Sequence, residues 1–142
     1  MIFRLAGLPA DDRYGNNRKE YNEGQMKQYD MANLRNVVLV SSSGSGKTTL
    51  IEHMLFNAKQ ITRVGKVEDG NTTMDFEPDE IEKQMSIALS MAYFDHKGKR
   101  VNLIDTPGYP EFIGEQIAGL QAGEAALVVV NAAGAFDIGL EQ

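Results

Sequence analysis

A run of apolar residues that leads directly into a glycine-rich loop constrains the fold of this chain more than any other feature. Residues 37–40 (VVLV) are β-branched or leucine without interruption, which is typical of a strand buried on both faces of a parallel sheet. The loop SSSGSGKTT occupies residues 41–49, and residues 47–57 (KTTLIEHMLFN) have a helical pattern. A strand, a glycine-rich turn and a helix in this order predict an α/β domain of the P-loop NTPase type.

The loop contains the residue types that a phosphate-binding site needs. Gly44 and Gly46 reach positive φ easily, so several backbone N–H groups can turn toward one anion. Lys47 supplies positive charge for the β and γ phosphates, and Thr48 offers a hydroxyl to Mg²⁺. Ser41 stands where the usual pattern G-x-x-x-x-G-K-[ST] has its first glycine, and an ordinary small-residue turn is the alternative. We predict that the phosphates are bound by Ser42, Ser43, Gly44, Ser45, Gly46, Lys47, Thr48 and Thr49.

Composition excludes several classes of protein. The chain has 142 residues, enough for one domain with a core, and it has no cysteines for a disulfide framework or a thiolate metal site. No apolar run approaches the roughly 18 residues that span a bilayer. The lack of cysteines fits a reducing compartment, and we expect a cytoplasmic protein. The net charge is −6, and residues 68–82 hold seven acids without a lysine or arginine. No basic stripe predicts direct binding of nucleic acid.

The first residues differ from the rest of the chain. Residues 11–25 are polar and turn-rich without periodicity, which predicts disorder for this segment alone. We therefore divide the chain into residues 1–25, a disordered leader or an extension that docks on a partner, and residues 26–142, the domain. Within the domain the pattern predicts a helix over 78–83, strands over 86–95 and 100–105 joined by a turn at 96–99, a helix over 111–121 and a strand over 125–130.

A second motif, DTPG at residues 105–108, follows the predicted strand RVNLID. Because neighbouring parallel strands end at the same edge of a sheet, we expect the Asp105 carboxylate beside the P-loop, where a Mg²⁺ site needs one. Gly108 places a backbone N–H where it can meet a γ-phosphate. The alternative is a strand-ending aspartate before an ordinary Pro-Gly turn. We predict that the nucleotide is also bound by Asp105, Thr106, Pro107, Gly108 and Tyr109.

The chain resembles the translational GTPases of the elongation factor G group over most of residues 26–142. The resemblance rests on RNVVLV, GKTTL, VGKVEDGNTTMDF and NLIDTPGYPEFIGE. SSGSGKTT and DTPGY look most like the divergent elongation-factor-G-like proteins. The resemblance implies a three-layer α/β/α Ras-like domain with strand order 2-3-1-4-5-6, of which about four strands are present here. It also implies GTP or GDP and Mg²⁺ as ligands, in a multi-domain factor that binds the ribosome.

Three departures from the family surround the expected γ-phosphate. The family's Arg-Gly-Ile-Thr is Lys-Gln-Met-Ser at residues 83–86, so Ser86 keeps the hydroxyl and the resemblance implies Mg²⁺ ligands Thr48, Ser86 and Asp105. Housekeeping factors have an aspartate where Gly44 stands. The family's DTPGH is DTPGY, and a phenol does not exchange protons near neutral pH as an imidazole does. We assign catalytic roles to Tyr109, Lys47 and Gly108, and expect weak hydrolysis.

Our leading hypothesis is GTP binding and Mg²⁺-dependent GTP hydrolysis by a monomer within a ribosome-associated protein. One alternative is a GTP-dependent ribosome-binding or regulatory module with little hydrolysis. Another is an unrelated P-loop ATPase or kinase. The family's guanine-reading Asn-Lys-x-Asp is expected beyond Gln142, so the preference for guanine rests on the resemblance.

Overall fold

The described part of the chain contains four strands and three α-helices. The computed structural model describes residues 29–132, and the predicted leader or extension over residues 1–25 lies outside them. The elements are β1 (Leu34–Val40), α1 (Lys47–Asn57), α2 (Pro78–Lys83), β2 (Ser90–His96), β3 (Lys99–Asp105), α3 (Ile113–Ala122) and β4 (Ala125–Val128). Among the described residues, no helix is long and apolar enough to cross a membrane.

The four strands form one mixed sheet in the order β2-β3-β1-β4. β1 is parallel to both β3 and β4, whereas β2 is antiparallel to β3. This is the order that the resemblance implies for the first four strands. The register pairs Leu39 with Asp105, so the carboxyl ends of β1 and β3 lie side by side at one edge. Parallel sheets place binding sites at this edge.

Helices cover both faces of the sheet, as the three-layer prediction requires. Successive side chains of a strand point to opposite faces. Leu39 on one face belongs to a buried core with Ile51 and Leu55 of α1. Val38 on the other face lies under α3, where a Cβ at Gly119 would come within 3.2 Å of its side chain. The predicted α/β/α architecture is therefore confirmed.

The start of β2 differs from the prediction because a side chain accepts the hydrogen bonds that a neighbouring strand would otherwise accept. The sequence pattern predicts that β2 begins at Ser86, but it begins at Ser90. The amides of Ile87 and Ala88 donate to a carboxylate oxygen of Glu80 instead of to a neighbouring strand, which delays the strand. The predicted turn after β2 is confirmed, since Lys97 and Gly98 both have positive φ, as a two-residue hairpin of type I′ requires.

The last two elements are shifted slightly. α3 begins at Ile113 rather than at residue 111, because a short 3-10 turn over Pro110–Phe112 comes first. β4 ends at Val128 rather than at residue 130. It forms one edge of the described sheet, and Val128 and Val130 are each about half exposed there.

Candidate functional site

The loop between β1 and α1 has the backbone conformation that its glycines predict. Gly44 has a φ of 71° and Gly46 a φ of 94°, both in the left-handed region. A Cβ at either position would meet no atom within 4 Å. Backbone conformation, rather than lack of space, is therefore what requires glycine here. Gly46 is also the N-cap of α1, so the amino end of the helix faces the loop.

Lys47 is held by the loop that precedes it. Its side chain is only 6% exposed, and Nζ donates to Ser41 Oγ at 3.0 Å and to the carbonyl oxygen of Ser42 at 3.3 Å. The Ser41 hydroxyl also contacts the Ser45 hydroxyl. Burial lowers the pKa of Lys47, and the negative charges of Asp105 and Asp75 oppose that shift. Ser41, the departure from the usual pattern, thus provides a polar partner for the lysine.

Asp105 is the most deeply buried charged group of the site, at 1% exposure. Its Oδ2 accepts a hydrogen bond from Thr48 Oγ1 at 2.7 Å, as its position beside the P-loop predicts. Its Oδ1 is buried and has no hydrogen-bond partner among the described residues. Burial raises the pKa of this carboxyl to about 7, against smaller opposing effects of Thr48 and Lys47. A buried carboxylate oxygen without a partner is where a metal-bound water or a proton would be stabilised.

Ser86 and Asp75 complete a row of oxygen atoms next to Thr48. Ser86 Oγ lies 3.4 Å from Thr48 Oγ1 and donates to Asp75 Oδ1 at 2.6 Å. Asp75 is buried, which raises its pKa, while hydrogen bonds from Ser86 and Thr72 act in the opposite direction. The structure therefore brings Thr48, Ser86 and Asp105 together as predicted. It adds Asp75, a residue of the segment VGKVEDGNTTMDF for which the sequence predicts no role.

The turn after β3 lies directly against the P-loop. A Cβ on Gly108 would be 2.5 Å from the backbone nitrogen of Ser43 and 2.8 Å from Lys47 Nζ. Only glycine allows this close approach. Tyr109 follows with 37% of its surface exposed. By contrast, the Thr106 side chain is fully buried and donates to the carbonyl oxygen of Leu39 at 2.7 Å, which ties the ends of β1 and β3 together.

These segments surround a cavity of about 300 Å³. Nine of the predicted site residues line it, namely Ser43, Gly44, Gly46, Lys47, Thr48, Thr49, Ser86, Gly108 and Tyr109. The predicted residues Ser42, Ser45, Asp105, Thr106 and Pro107 are not among the residues that line it. The lining also includes residues that the prediction missed, namely Val67, Glu68, Asp75, Gln84 and Met85.

Gln84 has an unusual backbone for its residue type. It caps the end of α2 with φ 52° and ψ 44°, a left-handed conformation. Its side-chain Nε2 donates to the carbonyl oxygen of Glu68 at 3.1 Å across the cavity rim. The family pattern has glycine at this position, and a left-handed glycine is unstrained. The sequence therefore contained a signal for this backbone conformation, because Lys-Gln-Met-Ser has glutamine where the family's Arg-Gly-Ile-Thr has glycine.

The donor atoms of the site suit Mg²⁺. This ion prefers oxygen ligands and commonly takes one or two carboxylates, with phosphate oxygens and water for the rest. The hydroxyls of Thr48 and Ser86 and the unpartnered Oδ1 of Asp105 are of this kind. Over residues 29–132, three or more histidine, cysteine or acidic side chains do not cluster as a metal site. A metal ion at this position would therefore take its protein ligands from hydroxyls and a carboxylate.

Comparisons with known proteins agree with one another. The family described as "Elongation factor Tu GTP binding domain" matches residues 32–139. A protein of Mycobacterium tuberculosis named "Elongation factor G-like protein" is 52% identical over 99 residues, which are 70% of this chain and 14% of that protein. Mitochondrial ribosome-releasing factor 2 of Drosophila willistoni is 38% identical over 101 residues, which are 71% of this chain and 14% of that protein.

Solved structures add the same fold. A crystal structure of a protein from Thermus thermophilus superposes with a TM-score of 0.74 and 41% sequence identity. The match covers 78% of this chain and 17% of that one. The chain thus spans only a small part of the length of the proteins that it matches, 14% in the mycobacterial and Drosophila relatives.

Proposed function

Because this chain belongs to the elongation factor Tu GTP-binding domain family, we propose that it binds GTP and Mg²⁺ and hydrolyses GTP within an elongation factor G-like protein that acts on the ribosome. The observation that carries the proposal is one cavity shared by the P-loop, Ser86 and Gly108. Beside it lies a buried Asp105 oxygen without a partner among the described residues. Family membership also argues against the alternative of an unrelated P-loop ATPase or kinase.

The phosphates would lie between the P-loop and the turn at residues 108–109. The backbone N–H groups of the loop and the amino end of α1 favour an anion there. Lys47 Nζ is 2.8 Å from the position of a Cβ on Gly108, so lysine and turn approach the same space. Thr48, Ser86 and Asp105 would hold Mg²⁺, which when bound neutralises charge on the phosphates.

Hydrolysis requires a group that orients the attacking water, and Tyr109 is the residue we place there. It lines the cavity next to Gly108 and is partly exposed, so its hydroxyl can reach a water molecule. A phenol can hold a water through a hydrogen bond but supplies no imidazole proton chemistry. Since phosphoryl transfer depends on positioning and charge stabilisation, we infer slow hydrolysis.

A second candidate function is favoured by the same residue. If Tyr109 orients water poorly, the protein acts as a GTP-dependent ribosome-binding or regulatory module that holds the nucleotide for long periods. Mitochondrial relatives named ribosome-releasing factor 2 support the ribosome as partner for either candidate. A monomeric state, a cytoplasmic location and the lack of a direct nucleic-acid site stay predictions.

Single-turnover GTP hydrolysis by the full-length protein, with and without ribosomes, separates the two candidates. We expect ribosomes to stimulate a slow rate, and Tyr109→His to raise the stimulated rate. Tyr93→His serves as the control, because Tyr93 is similarly exposed but lies on β2, away from the cavity. Stimulation in the wild type together with an unchanged or slower rate for Tyr109→His would remove Tyr109 from the proposed role. No stimulation at all would favour the binding module.

A further inference from the structure

Two residues on one face of α1, Thr48 and Glu52, contact the segment from residue 65 to residue 86. Thr48 and Glu52 are four residues apart, so their side chains lie one above the other on the helix. Thr48 lies next to Ser86, near the end of the segment. Glu52 accepts a hydrogen bond from Gly65, at the beginning of the same segment. The segment from residue 65 to residue 86 is thus attached to the P-loop helix at two points one helical turn apart.

The Glu52 carboxylate is buried and receives two backbone hydrogen bonds. Glu52 is 1% exposed, and each of its carboxylate oxygens accepts a hydrogen bond from one backbone amide. Oε2 accepts from Gly65 at 2.8 Å, and Oε1 accepts from Thr73 at 2.5 Å. Hydrogen bonds to an ionised carboxylate are roughly twice as strong as neutral ones. Glu52 therefore fixes where residues 65 and 73 lie relative to the P-loop helix.

A series of hydrogen bonds leads from Thr72, the neighbour of Thr73, to the candidate metal position. Thr72 Oγ1 accepts from the Asp75 amide at 3.1 Å and donates to its Oδ2 at 3.3 Å. Asp75 in turn accepts from Ser86, which lies beside Thr48. Since Thr73 is two residues before Asp75, a shift of Thr73 relative to α1 displaces the carboxylate that holds the Ser86 hydroxyl.

The backbone around Gly65 is tightly packed. A Cβ on Gly65 would lie 2.5 Å from the carbonyl oxygen of Asn71 and 2.7 Å from Cα of Thr72. Both are backbone atoms, which cannot rotate away as a flexible side chain can. The loop between residues 65 and 73 therefore folds back on itself at the point where Glu52 holds it.

We propose that Glu52 is a positioning residue for the Mg²⁺ site: through the amides of Gly65 and Thr73 it places Asp75 and Ser86, and so sets the affinity for Mg²⁺ in the nucleotide complex. This inference rests on the proposed function. A positioning role for Glu52 differs from a purely structural role in one measurable respect. Loss of a purely structural residue would lower stability without changing how strongly Mg²⁺ assists nucleotide binding.

Glu52→Gln tests this role with little change in shape. A glutamine has one acceptor oxygen and one NH₂ donor in place of two acceptor oxygens, so one of the two amides loses its partner. Glu82→Gln is the matched control, because it removes the same charge from an exposed position on α2. Gly65→Ala disturbs the same attachment from the other side and leaves α1 unchanged.

The full chain is titrated with Mg²⁺ in the presence of a fluorescent, non-hydrolysable GTP analogue, and the affinity for the analogue is also measured in EDTA. We expect Glu52→Gln to raise the half-saturating Mg²⁺ concentration by about tenfold, from the loss of one charge-assisted hydrogen bond. The affinity in EDTA should stay within about twofold of wild type. Gly65→Ala should shift the Mg²⁺ titration in the same direction, and Glu82→Gln should not shift it.

Other results of the titrations would overturn either the positioning role of Glu52 or the proposed function. A wild type that needs Mg²⁺ and a Glu52→Gln variant with the same titration would overturn this inference and leave the proposed function intact. Equal losses of affinity with Mg²⁺ and in EDTA would show that Glu52 only stabilises the fold. If Glu52→Gln does not fold, an unshifted Gly65→Ala titration overturns the inference. Wild-type binding that ignores Mg²⁺ would overturn the proposed function, and this inference with it.

Discussion

Replacing Asp105 by asparagine should make the metal-free protein more stable relative to the wild type at pH 8 than at pH 5. Asp105 is 1% exposed, and its Oδ1 has no partner among the described residues. Burial raises its pKa from 3.8 to about 7, so above neutral pH the folded protein holds a buried carboxylate that the unfolded chain would leave in water. Asparagine has the same shape without the charge.

The sign and size follow from proton linkage. Between pH 3.8 and about 7 the folded state holds a proton that the unfolded state has released. The stability contributed by this group is therefore fully present below about pH 4 and is lost as pH rises through about 7. At about 1.4 kcal/mol for each pH unit, the wild type loses roughly 2–3 kcal/mol from this group between pH 5 and pH 8. The variant does not undergo this loss.

The asparagine side chain also has a cost in stability that does not depend on pH. Its oxygen can accept from Thr48 as the carboxylate does, but its NH₂ group faces the position where Oδ1 has no partner among the described residues. A buried donor without an acceptor costs about 1–3 kcal/mol. Because this cost is the same at both pH values, it cancels when the difference between variant and wild type is compared at pH 5 and at pH 8.

Urea denaturation in EDTA without nucleotide, at pH 5 and at pH 8, measures the effect. We expect the free energy of unfolding of Asp105→Asn, relative to wild type, to rise by roughly 2–3 kcal/mol between the two pH values. Asp79→Asn, an exposed position on α2, is the control and should show no such rise. A difference between Asp105→Asn and wild type that is constant with pH, or that falls, would refute the reasoning about burial.

Two further substitutions test the backbone of the site. Gly108→Ala should lower stability by about 1–3 kcal/mol in urea denaturation and weaken nucleotide binding, because its Cβ would lie 2.5 Å from a backbone nitrogen of Ser43. Gly114→Ala, where a Cβ meets nothing within 4 Å, is the control, and equal losses would contradict the steric argument. Gln84→Gly should be more stable than Gln84→Ala by about 1 kcal/mol, because glycine alone is unstrained at φ 52°. Equal melting temperatures of these two variants would mean that the left-handed conformation carries no strain.

The central part of the site could be predicted because it depends on local pattern and simple topology. A buried strand followed by Gly44, Gly46 and Lys47 defines a loop whose backbone must turn toward an anion. The carboxyl ends of neighbouring parallel strands share one edge, which is why Asp105 is expected beside Thr48 and is found there. Neither inference requires knowledge of contacts between distant residues.

The remaining features depend on side chains that bond to distant backbone groups. The start of β2 at Ser90 follows from amides that donate to Glu80, and hydrophobic alternation contains no information about such bonds. Asp75 reaches the cavity because Glu52 holds the loop before it, and a long polar loop has no periodicity that reveals this placement. The left-handed Gln84 contradicts residue preference, so only the family pattern pointed to it.

Isothermal titration of the chain with GTP, in millimolar Mg²⁺ and again in EDTA, determines whether the cavity binds GTP together with Mg²⁺. We expect saturable binding at one site that is at least about tenfold tighter with Mg²⁺, since Thr48, Ser86 and Asp105 would hold the ion and the ion would neutralise charge on the phosphates. Lys47→Ala should abolish binding under both conditions while the protein remains folded. GTP binding that is equally strong in EDTA, or that survives Lys47→Ala unchanged, would contradict the assignment of this cavity as a Mg²⁺-dependent GTP site.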